Sequence, residues 1–149
     1  MNTKKGKRNR SPSVIEGKIL LVDNEADIID IYPQELRKKG LDVYGFTDPA
    51  VALEEFRLNH GEYILVISDI RMPKMNGFEF TRKVKEIDSN AKVFLMTSNF
   101  EISDRLLLSL AANSVSMNSM IDEFILKPFS IEQLIMLIRK HMESTIRGY

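Results

Sequence analysis

The chain has 149 residues, 44% of them apolar, which suits one domain with a core of its own. It has no cysteine, so disulfides and thiolate metal sites are excluded, and its two histidines, His60 and His141, argue against a multi-histidine metal centre. Formal net charge is zero but unevenly spread: Lys4, Lys5, Lys7, Arg8 and Arg10 crowd the first thirteen residues, leaving 16 basic against 21 acidic residues elsewhere.

Residues 1–14 read as a basic, disordered tail. Such an arm can touch nucleic acid or an acidic partner, but no helix-turn-helix pattern follows it, which argues against nucleic-acid binding. The N-terminus lacks the apolar core of a signal peptide and no run approaches the ~20 residues of a membrane span, so the expected location is cytoplasmic, with no membrane partner. Beyond the tail, two kinds of apolar pattern alternate. KILLV (18–22), YILVI (63–67), KVFLM (92–96) and EFIL (123–126) are short continuous runs, as strands buried on both faces require. LDVYGF (41–46) is more polar and predicts a strand at a sheet edge.

Helical periods lie between the strands. Ile28, Tyr32 and Leu36 share a face, as do Phe80, Val84 and Ile87, and Ile102, Leu106 and Leu110; Ile131, Leu134, Ile135, Ile138 and Met142 form the clearest stripe. Gly40 closes the first helix. Thr47-Asp48-Pro49 opens the second, and Ser130 with Gln133 makes a capping box for the last. Pro33 falls inside the first helix and predicts a kink. Five β-α units in succession imply a parallel sheet with helices on both faces, whose ligands bind beyond the carboxyl ends of the strands.

Four groups arrive at that rim. Strand one ends in Asp23-Asn24-Glu25, strand three in Asp69, strand four in Thr97-Ser98 and strand five in Lys127-Pro128. Clustered oxygens suit a hard cation such as Mg²⁺ (or Mn²⁺), which keeps several waters and binds phosphate. A carboxylate can attack phosphorus, a hydroxyl can donate to a phosphoryl oxygen, and an ammonium can neutralise another. Singly, an aspartate after a strand is more often a turn former and a Lys-Pro a turn marker. Their joint arrival at one edge is the signal.

ILLVDNEADI, LVISDIRMPKMNG, VFLMTS and FILKPF together resemble the receiver domain of two-component response regulators, over roughly residues 17 to 141. The resemblance implies a flavodoxin-like sheet of order 2-1-3-4-5, for which a member of this family is a standard example. It implies Asp69 as phosphoacceptor, Asp23 as one of an acidic pair and the Arg71 carbonyl as a metal ligand. It further implies Thr97 as switch hydroxyl with Ser98 beside it, Lys127 as the family's lysine, Phe124 as switch aromatic and Pro128 as the proline after that lysine, usually in cis. A receiver domain is expected over residues 15–142, with an extended region near 113–121 and a short tail at 143–149.

Departures from the family pattern are specific. Asn24 stands where a second aspartate usually ligates the metal; its amide oxygen can bind but brings no charge, and Glu25 is the candidate to compensate. Phe124 lacks the phenol of some relatives. The gap from Thr97 to Lys127 is about two helical turns longer than usual, and Met120-Ile121 replaces the usual Gly-Ala. The segment from Ser114 to Met120 is either a plain surface loop or, through Val115, Met117 and Met120, a partner surface.

The leading expectation is a stand-alone signalling receiver, not an enzyme with its own substrate. It takes a phosphoryl group on Asp69 from a histidine kinase or phosphotransfer protein and acts through a downstream protein partner, a homodimer or onward transfer. Fewer than ten residues follow Lys140, so no output domain is expected. A second reading, a phosphorylation-independent interaction module, is supported by Asn24 alone. A haloacid-dehalogenase-like phosphatase would need an acid two residues after Asp69, where Arg71 stands. No Gly-x-Gly-x-x-Gly follows the first strand to support nucleotide binding.

Overall fold

The computed structural model describes residues 15–97 and 119–147. Strands β1 (Lys18–Val22), β2 (Asp42–Phe46), β3 (Tyr63–Asp69), β4 (Lys92–Thr97) and β5 (Glu123–Leu126) form one parallel sheet in the order β2-β1-β3-β4-β5. The described helices are α1 (Ala26–Lys38), α2 (Pro49–Asn59), α3 (Gly77–Ile87) and α4 (Ile131–Arg147), and a short 3₁₀ turn, His60–Glu62, leads into β3. This is the flavodoxin-like arrangement that the family resemblance implies.

Alternation along the strands divides the core into two layers. Leu21, Ile67, Phe94 and Met96 face α1 and α4, where Leu36, Leu134 and Ile138 are fully buried. Leu20, Val66, Val93 and Leu95 face α2 and α3, against Phe56, Phe80 and Val84. The continuous apolar runs in β1, β3 and β4 follow from burial on both sides.

The expected stop and start signals hold. Gly40 takes φ +92° past α1, and Leu41 N–H donates to the Leu36 carbonyl. The Asp48 side chain accepts from Ala50 N–H at 2.9 Å with Pro49 opening α2, and Ser130 and Gln133 exchange reciprocal bonds at the start of α4.

α1 runs continuously through Pro33 to Lys38. The ring is buried against β2, where Gly45 leaves room: a Cβ there would lie 3.0 Å from both Pro33 and Ile29, so packing offsets the lost helix bond. β5 is not buried on both faces, because it is the outer strand on β4; Phe124 is 40% and Leu126 54% exposed, while Ile125 between them is buried. α4 also continues past residue 142, to Arg147. The stripe of Ile102, Leu106 and Leu110, residues 114–118 and the tail 1–14 lie outside the described residues. Of the extended region, Met120 and Ile121 are described, and both pack against the α2–α3 core layer.

Candidate functional site

β1 delivers its carboxylate directly. Asp23 N–H donates to the Phe46 carbonyl at 3.1 Å, which keeps the residue in line with the sheet, and its side chain is fully buried. One oxygen, Oδ1, accepts the Glu25 N–H at 2.9 Å. Asp69 is the last residue of β3, beside Met96 of β4 and 6% exposed. The chain turns at once after it. Gly77 N–H donates to the Ile70 carbonyl at 2.8 Å, and a Cβ on Gly77 would lie 2.6 Å from the Asp69 carbonyl oxygen, so only glycine allows the loop to close this tightly. Asn76 then starts α3 with a full capping box, accepting from Glu79 N–H at 2.9 Å while Glu79 accepts from Asn76 N–H. The run Ile64–Gly77 is therefore a strand that carries one carboxylate to the mouth, followed by a loop that closes on a glycine and a capped helix.

Lys127 follows β5, held by its N–H bond to the Thr97 carbonyl at 2.7 Å, and a cis peptide joins it to Pro128. Its ammonium lies 2.5 Å from Asp23 Oδ2, 3.4 Å from Glu25 Oε1 and 3.6 Å from Asp69 Oδ1. Three carboxylates thus share one cation. Burial opposes the lysine's charge, but the hydrogen bond to Asp23 and the charges of Asp69, Asp23 and Glu25 outweigh it and hold its pKa above the ordinary value. The Asp69 pKa is raised too, which for a carboxylate disfavours the charged form. Burial, then repulsion from Asp23, push it up to about 6 despite Lys127 and with a further push from Glu25.

That residual repulsion is the observation that tests for a metal. Two buried carboxylates with one ammonium between them remain under-neutralised, and hard oxygens are the donors Mg²⁺ takes. The residues fit a divalent cation. Among the described residues no three acidic or histidine side chains could hold a metal together, so amide, carbonyl, water or phosphate oxygens must complete any such set.

The structure brings together Asp23, Glu25, Asp69 and Lys127, and places Thr97, buried, at the end of β4 opposite Leu126. Asn24 and Arg71 are exposed on the two loops that border the cleft. Phe124 stands on the exposed face of β5, and Ser98 lies outside the described residues. Gly77 and Asn76 were missed from the sequence as more than a turn; the spacing Asn-x-x-Glu was the available signal.

Residues 19–139 match the response regulator receiver domain, and the chain belongs to that family. It is 33% identical over 123 residues to the probable transcriptional regulator ycf27 of Porphyridium aerugineum, covering 82% of this chain and 46% of that one. It spans about half the length of the curated relatives that it matches first. Among solved structures, a receiver domain protein from Clostridium thermocellum superimposes with a TM-score of 0.75 at 23% identity, covering 89% of this chain and 99% of that one. The response regulator protein TrrA of Thermotoga maritima, in complex with Mg²⁺-BeF, gives 0.65 at 27% identity, covering 83% and 97%. Among the described residues no helix is long and apolar enough to cross a membrane.

Proposed function

We propose that this two-component receiver takes a phosphoryl group on Asp69 from a histidine kinase or phosphotransfer protein, with Mg²⁺ or Mn²⁺, and thereby switches a protein-interaction surface. One observation carries the reading: the Lys127 ammonium sits between the buried carboxylates of Asp23 and Asp69. An Asp69 oxygen attacks phosphorus, the bond from phosphorus to the donor breaks, and an aspartyl phosphate remains. Lys127 neutralises one phosphoryl oxygen and the Thr97 hydroxyl donates to another. Asp23, Asp69, the Asn24 amide and the Arg71 carbonyl would hold the cation, which when bound would offset charge on the phosphoryl oxygens. Phe124, Ser98 and Pro128 belong to the switch region, and the output passes to a protein partner or a second copy of the chain. The Thermotoga relative, whose structure is in complex with Mg²⁺-BeF, supports a role for Mg²⁺ by analogy. Residues 15–142 form the receiver unit in this reading, preceded by the basic tail (1–14) and followed by residues 143–149, of which 143–147 continue α4.

Incubation with Mg²⁺ and acetyl phosphate, followed by a phosphate-retarding gel, tests the assignment. The expected result is one retarded species, abolished by EDTA and by Asp69→Asn. Equal retardation of the Asp69→Asn variant would overturn it.

A further inference from the structure

Position 24 carries no charge, and the acid beside it is not used where its position in the helix would use it. Glu25 is the N-cap residue of α1, yet its side chain makes no capping hydrogen bond. Instead the carboxylate turns back over the cleft to within 3.4 Å of the Lys127 ammonium, although 59% of the side chain is exposed. An exposed glutamate has many rotamers open to it, so ordering it over the cleft requires an attraction, and the poorly solvated ammonium supplies one. Its backbone does a second job: the Glu25 N–H holds Asp23 Oδ1 in place.

We propose that Glu25 is a positioning residue that supplies the second acidic charge of the cation site, the charge that Asn24 lacks. This rests on the reading of Asp69 as a Mg²⁺-assisted phosphoacceptor. Glu25 acts by its charge and not as a direct ligand, in keeping with the absence of a three-acid ligand set among the described residues and with the tendency of Mg²⁺ to keep several waters. Screened by solvent, one negative charge near a divalent cation alters affinity by roughly five- to tenfold.

Calorimetric titration of Mg²⁺ into the full chain, with no phosphodonor, tests this on the unmodified protein, Glu25→Gln and the double variant Asn24→Asp/Glu25→Gln. Glu25→Gln is expected to weaken Mg²⁺ binding by roughly five- to tenfold. The double variant, which returns the charge one residue away, is expected to recover affinity to within about twofold of the unmodified protein. Thermal unfolding in EDTA, expected to be alike for all three, separates these effects from a folding defect. Unchanged affinity in Glu25→Gln would overturn the inference, and so would failure of the double variant to recover. If Asp69 is labelled by acetyl phosphate while the Glu25→Gln titration is unchanged, only this inference falls. If the unmodified protein binds no Mg²⁺, the reading of the site falls with it.

Discussion

Burial and the neighbouring Asp23 lift the Asp69 carboxyl from its ordinary 3.8 to about 6, so the ionised form is disfavoured in the folded chain. A shift of this size corresponds to about 3 kcal/mol, which relaxation and solvent at the mouth reduce to roughly 1–2 kcal/mol. The sign follows from linkage. The folded chain binds the proton more tightly than the unfolded chain, so ionisation of Asp69 costs stability above about pH 6, and the cost vanishes as pH falls towards 4. In metal-free buffer at neutral pH, Asp69→Asn is therefore expected to raise the denaturation midpoint, with the gain shrinking below pH 6 and absent near pH 4. Urea titrations of both proteins across that range check it; a gain independent of pH would point to packing instead. The direction of the Glu25 side chain belongs to this scale too, and it was not legible from the sequence. A one-letter code places the acid at the rim but does not choose its rotamer, which here depends on a lysine 102 residues away.

Elements carry the site because their ends are fixed. Gly77 is the tightest point, with the Asp69 carbonyl 2.6 Å and the Ile70 Cα 2.9 Å from where a Cβ would stand. Both obstacles are backbone and cannot rotate away, so Gly77→Ala must push α3 off the end of β3. A loss of roughly 2–4 kcal/mol is expected, at the high end of single substitutions, together with slower labelling of Asp69. Gly61→Ala, where a Cβ would meet open space, serves as control. Chemical denaturation and the acetyl phosphate gel check the pair. Strand and helix positions were largely legible beforehand, since β1, β3 and β4 are covered on both sides and read as unbroken apolar runs. β5 was legible as a strand but not as a half-exposed one. Phe124 and Leu126 are as apolar as the residues of β4, and composition says nothing of what covers them. The packing of the Pro33 ring against Gly45 is likewise a tertiary fact that helix propensity does not carry.

At the scale of the whole molecule, two core layers share one sheet, so neither can be lost alone. Phe80 on one side and Ile138 on the other are both fully buried. Phe80→Ala is expected to cost about 3–5 kcal/mol and Ile138→Ala about 2–5 kcal/mol. The losses should be nearly additive because the sheet separates the two sites, and the unfolding transition should stay single. Tyrosine fluorescence and circular dichroism followed together in urea check this; non-coincident curves would show that the layers unfold separately. The rim cluster was legible at this scale only as four strand ends meeting at one edge, since no local pattern links Asp23 to a lysine 104 residues away. That distance along the chain has a consequence for the protein during its synthesis. While β5 is still unmade, Asp23 and Asp69 lack the ammonium that lies between them. The rim cluster is thus complete only when β5 docks on β4 and brings Lys127 between the two carboxylates.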